Sequence, residues 1–201
     1  MGYIEHGKVV SKSINIINTS QTKVHIEGKV DNSPSYLTIY CPEEMAANEI
    51  SRIIVSYDAT GIDDIWGEQE FVLKLKEKGG AVYPITIYSI ITECFDSDAN
   101  CKPKIFMPVT CYQLNPNETN APFSTKKFEI RNIGNGDLII RDVHTDKGVR
   151  YNLQKRTIKP NENAFIDVSI PHIILEEKQS VNIGLTTNDS MEPYKIFKVI
   201  K

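Results

Sequence analysis

The chain has no apolar run approaching the roughly 18 to 20 residues that cross a bilayer, so membrane insertion is not expected. Its opening, MGYIEHGKVV, has no signal-peptide apolar region, so the chain reads as soluble or as a portion from which an export signal has been removed. Surplus charge is also missing. Lys and Arg total 23 against 26 Asp and Glu, a net charge of -3, and the cations are scattered among acids. Without a basic field to hold a phosphate backbone, nucleic acid is not an expected partner. Cysteine is scarce: Cys41, Cys94, Cys101 and Cys111 are too few for a disulfide scaffold. The last three crowd together but lack the close pairs of a zinc site. Two readings stand for Cys94, Cys101 and Cys111: one disulfide in an oxidising compartment, or reduced thiols in apolar surroundings. There is no nucleophile elbow, phosphate-binding glycine loop or metalloprotease helix, so neither catalysis nor a cofactor is expected.

What is present is alternation. Hydrophobic residues at 40% and charged residues at 24% suffice for a sizeable core in 201 residues. The apolar residues recur with period two: Ile14 and Ile16; Val24, Ile26 and Val30; Leu37, Ile39 and Cys41; Ile53, Val55 and Tyr57; Phe71, Leu73 and Leu75. Such patterning means strands with one buried and one wet face, as antiparallel sheets show. Pro42 to Glu49 is the one helix-forming patch, expected to give one turn at most. From Glu93 to Lys104 the periodicity breaks. Residues 1–93 are therefore expected as one domain, 94–104 as a linker and 105–201 as a second domain.

Phe123 to Val143, FSTKKFEIRNIGNGDLIIRDV, predicts a β-hairpin around Gly134-Asn135-Gly136-Asp137, because Gly and Asn reach positive φ cheaply. The pattern repeats. SKSINIIN at 11–18 lies over TKKFEIRN at 125–132, MAANEISRIIVSY at 45–57 over IKPNENAFIDVSI at 158–170, and Phe71 to Leu75 over Val181 to Leu185. The drift in offset falls in loops, as an internal duplication predicts. Two copies of about seven short strands predict an all-β chain of two tandem immunoglobulin-like β-sandwich domains.

Candidate sites are few. Asp96, Asp98 and Asn100 follow the oxygen spacing that opens a calcium loop, but Met107 stands where an EF-hand needs Glu, leaving only an irregular metal site to consider. Trp66, the sole tryptophan, could with Tyr36, Tyr40 or Tyr57 form a stacking platform for a surface glycan. His6, His25, His144 and His172 are far apart and read as surface residues.

FEIRNIGNGDLIIRDV, with Asn132-Ile133-Gly134 as an Asn-x-Gly, resembles the strand-turn-strand signature of the ASH, major-sperm-protein and PapD-like branch of the immunoglobulin fold. IKPNENAFIDVSI and LTTNDSMEPYKIFKV resemble that branch's proline-containing turn and its final Thr-Asn-Asp turn and strand. The tandem arrangement is most similar to a family of unknown function in Bacteroidetes envelope proteins. The first module matches more loosely, with Asn18-Thr19-Ser20 in place of the Asn-x-Gly, and it lacks the paired cysteines many members carry. The resemblance implies an exported, periplasmic or cell-surface protein that acts as a non-catalytic structural or protein-interaction module. The alternative is a carbohydrate- or calcium-binding module.

Overall fold

The computed structural model describes residues 1–95, 100–114 and 122–201. The chain divides into two compact units, Met1–Ile91 and Thr92–Lys201. The first contains β1 (Gly2–Glu5), β2 (Val9–Ile17), β3 (Val24–Val30), β4 (Leu37–Tyr40), β5 (Glu44–Met45), β6 (Ile50–Asp58), β7 (Gly67–Glu77) and β8 (Val82–Thr92). They form two sheets, β2-β6-β4 and β1-β8-β7-β3-β5. The second unit contains β9 (Ile105–Phe106), β10 (Cys111–Gln113), β11 (Phe123–Asn132), β12 (Leu138–Thr145), β13 (Arg150–Leu153), β14 (Thr157–Ile158), β15 (Asn163–Pro171), α1 (His172–Lys178), β16 (Ser180–Thr187) and β17 (Tyr194–Ile200). Its sheets are β13-β15-β11-β9 and β10-β17-β16-β12-β14.

Strand order makes the duplication visible. In each unit, the apolar alternate residues of two facing sheets supply the core. The sheet β2-β6-β4 repeats as β11-β15-β13, and β8-β7-β3-β5 repeats as β17-β16-β12-β14. Cross-strand registers fix the matches residue by residue. Val10 faces Tyr57 as Ser124 faces Ile170, and Leu73 faces Ile85 as Ile183 faces Phe197. Asn48 and Asn161 occupy the same left-handed corner, with φ of 58° and 61°. Asn tolerates that conformation better than most residues with a Cβ.

The expected hairpin does not form. β11 pairs with β15 and β9, whereas β12 pairs with β16 and β14, so Gly134 to Asp137 arches between sheets. Half-buried alternation on both sides of a turn is the same in a hairpin and in an arch; the difference lies in where the backbone hydrogen bonds go. A bulge between Ile140 and Asp142 then shifts the inward row, so that Leu138, Ile140 and Val143 are all buried.

The expected helical turn at Pro42 to Glu49 is replaced by β5 and turns. Met45 is buried at 3% exposure and pairs with Val24, and left-handed Asn48 cannot continue a helix. The one helix of the described residues is α1. It buries Leu175 and stops at left-handed Gln179, whose N–H donates to Leu175 O at 3.1 Å.

Candidate functional site

The residues singled out in the sequence do not converge. Asp96 and Asp98 lie outside the described residues. The carbonyl of Asn100 accepts from Asn135 Nδ2 at 3.1 Å, which ties it to the arch of the second unit. Among the described residues, no group of three or more His, Cys, Asp or Glu is placed to hold a metal ion. Cys94, Cys101 and Cys111 are exposed free thiols. Cys41 is a half-buried one, and burial raises its pKa. Trp66 is stacked on His6, with ring centroids 3.8 Å apart and planes 17° apart, so one indole face is covered by protein. His6 is itself held by Ile65 O, 2.8 Å from its Nε2. Tyr57 is fully buried against Tyr36, and Tyr40 lies on the outer face of β4, 62% exposed. His172 Nε2 lies 2.8 Å from Ser124 Oγ, and Ser124 is buried at 6% exposure. No helix of the described residues is long and apolar enough to cross a membrane.

The strongest contrast in the molecule lies at equivalent corners of the two units. In the second unit, fully buried Asn132 donates from Nδ2 to Gly136 O at 2.7 Å and Ile158 O at 2.8 Å. Its Oδ1 accepts from Gly134 N at 3.0 Å and Lys104 N at 3.3 Å. Residues 101–104, read in the sequence as part of a linker, run along this arch. The approach is so close that a Cβ on Gly134 would sit 2.3 Å from Lys102 O. Buried Asp189 completes the latch. Its carboxylate accepts from Ile105 N at 2.9 Å, Met191 N at 2.9 Å and Glu192 N at 3.3 Å. Held this way, β9 pairs antiparallel with β11, Ile105 against Asn132 and Phe106 against Arg131. Ile105 and Met107 enter the core at 4% and 5% exposure. They belong to the same core cluster as Ile130, Ile140, Leu185 and Phe197, each 1% exposed or less.

The first unit keeps the corner and loses the plug. Asn18 donates from Nδ2 to Thr22 O at 2.8 Å and Ala46 O at 2.7 Å, and its Oδ1 accepts from Ser20 N at 3.0 Å. Among the described residues, however, no strand lies on the outer edge of β2. Between β2 and the start of β8 an apolar cleft of about 580 Å³ opens, lined by Ile16, Val24, Ile26, Leu75, Tyr83 and Ile85, with Glu77 its one charged lining residue. Ile16, Ile26 and Ile85 occupy the places of Ile130, Ile140 and Phe197 but are only half-buried.

The outer face of the neighbouring sheet differs too. Two cross-strand pairs, Ile17 with Ile50 and Ile54 with Tyr40, put four large apolar side chains in solvent at 57%, 67%, 40% and 62% exposure. The matching pairs of the second unit are Arg131 with Asn163 and Asp167 with Asn152. There Glu129 accepts from Arg131 Nη2 at 2.9 Å and Asn163 Nδ2 at 2.7 Å; these partners, Arg131 foremost, lower its pKa. Neither the cleft nor this apolar face was legible in the sequence. Inward and outward isoleucines look alike in a period-two pattern, and no local signal says that an edge lacks its neighbour.

Residues 120–197 match the family model described as HYDIN/CFA65/VesB-like, Ig-like domain. No curated protein matches the chain. Among solved structures, a protein of unknown function from Porphyromonas gingivalis W83 is 17% identical. The match covers 94% of this chain and 90% of that one, with a TM-score of 0.66, which shows a shared fold. The periplasmic chaperone SfaE is 12% identical with a TM-score of 0.36, covering 99% of this chain and 95% of its own. The Pseudomonas aeruginosa CupB2 chaperone is 12% identical with a TM-score of 0.31, covering 94% and 91%. The chain is all-β, and its units are immunoglobulin-like β-sandwiches.

Proposed function

We propose that the chain is a non-catalytic protein-interaction module of the bacterial envelope, exported to the periplasm or cell surface, which binds a protein partner through its first unit. The observation that carries the interaction reading is the outer face of β2-β6-β4. Ile17 with Ile50 and Ile54 with Tyr40 form two exposed apolar pairs on one face, flanking the Asn15–Arg52 pair, where the duplicated unit places Arg131, Asn163, Asp167 and Asn152. A sheet face needs no such side chains to fold, as the second unit demonstrates, and large apolar side chains grouped on one exposed face mark interaction sites. The envelope address is supported by the resemblance of the tandem arrangement to the Bacteroidetes envelope family. A photo-crosslinking residue at position 50, in cells that make the protein, tests the reading. Adducts of defined mass in the envelope fraction are expected from position 50 and not from position 163. Equal labelling from both positions, or adducts only in the cytosol, would overturn it.

A further inference from the structure

The geometry points to a second, more specific surface. We propose that the cleft beside β2 receives an extended segment of a partner chain, added antiparallel to Ile16–Asn18, carrying a cationic residue followed by two apolar side chains at alternate positions. This deepens the interaction reading above and rests on it, but uses the inner edge of the sandwich, which shares Ile17 with the outer face.

The duplicated unit supplies the occupant's chemistry. Where the first unit has an open cleft, the second has Lys104-Ile105-Phe106-Met107. Ile105 and Met107 point into the core, and Phe106 points out at 42% exposure. Burying two side chains of that size is a large favourable contribution, and the first unit has no counterpart of it among the described residues. An extended peptide on a sheet edge adds backbone hydrogen bonds, and its alternate side chains give specificity. Charge fits as well. Glu77 lines the cleft, as Asn18 does, at the position held by neutral Thr187 in the second unit, so a cation preceding the apolar pair would meet a carboxylate there.

Two further features limit how long the docked segment can be. Ser20 stands in the place of Gly134, where a Cβ would come 2.3 Å from Lys102 O and 2.5 Å from Lys104 N, so a partner cannot follow the path of residues 102–104, and its cation enters the cleft from beside that path. At the other side, Lys12 occupies an inward position of β2 yet is exposed, and an inward charge discourages continued edge pairing. The recognised stretch is therefore a short cation-apolar-x-apolar segment.

The test is titration of the full chain with a capped peptide copying residues 102–110, KPKIFMPVT, followed by isoleucine-methyl NMR and calorimetry. Saturable 1:1 binding that shifts the methyls of Ile16, Ile26 and Ile85 is expected. Serine at the peptide's Ile and Met positions should weaken binding by about tenfold or more, and Glu77→Gln in the protein by roughly threefold with a shallower salt dependence. Ile85→Lys should abolish binding. Tyr83→Lys at a 56% exposed position provides a second cleft variant should the first not fold, and Ile173→Lys, at a 65% exposed position of the second unit, should bind as the wild type does. The proposal is overturned by absence of saturable binding up to about 1 mM peptide, or by shifts confined to the second unit. Light scattering that shows a dimer abolished by Tyr83→Lys would also overturn it, assigning the cleft to a second copy. Loss of peptide binding with crosslinking at position 50 intact would sink this inference alone; the reverse result would sink the outer-face reading alone.

Discussion

The two units are built on one plan, and they differ in whether the plan is completed. Both turn a buried Asn through the same corner, Asn18 donating to Ala46 O and Asn132 to Ile158 O, and both set a left-handed Asn at the following turn. Among the described residues, only the second unit then receives a strand on the open edge. Among the described residues, twenty buried hydrophobic residues form the core of the second unit and eleven that of the first, where Val10, Ile14, Ile16 and Ile39 are only partly buried. A sandwich therefore folds without the edge strand but leaves apolar surface at its mouth. That surface is available for binding.

The largest expected effect comes from the shared corner. Asn132→Ala strands four backbone groups in the sealed unit and should cost about 3–5 kcal/mol in urea denaturation, because each buried unsatisfied group costs about 1–3 kcal/mol. Asn18→Ala should cost less, about 1–3 kcal/mol, because water enters from the adjoining cleft. Equal costs would break the comparison. Next is the plug itself: Met107→Ala removes a 5% exposed side chain and should cost about 2–5 kcal/mol.

Of the two corners, only one had been recognisable in the sequence by its Asn-x-Gly. The repeat, the strand positions and the buried rows were legible because period-two alternation reports which side of a strand is wet. The sheet partners were not, and so Gly134 to Asp137 looked like a hairpin; the deciding interactions are nonlocal, Asp189 to Ile105 N and Lys104 to Asn132. Trp66 drew notice by its rarity, yet His6 lies over it. The apolar outer face was hidden for another reason. Ile17 and Ile50 become conspicuous only when set against Arg131 and Asn163.

Gly134→Ala sharpens the steric side of the contrast. The added Cβ meets backbone, not a flexible tip, so a loss of about 1–3 kcal/mol is expected, whereas Ser20→Ala should change stability by less than about 0.5 kcal/mol. The smallest effect is on pH. Arg131 and Asn163 hold the Glu129 carboxyl below the usual carboxylate range, so its stabilising contribution is present above that range and is lost as pH falls through the lowered value. Glu129→Gln should thus slightly lower the melting temperature at neutral pH and change it less at strongly acid pH. The counterpart change in the first unit, Asn15→Gln, should show no such pH dependence.

Isoleucine-methyl NMR of the full chain with a soluble paramagnetic agent shows whether one unit is open where its twin is sealed. Ile16 and Ile26 form matched pairs with Ile130 and Ile140, so each comparison holds residue type and strand position constant. Strong broadening at Ile16 and Ile26 with little at Ile130 and Ile140 is the predicted result. Equal protection within both pairs would contradict the open cleft and remove the basis for the peptide site.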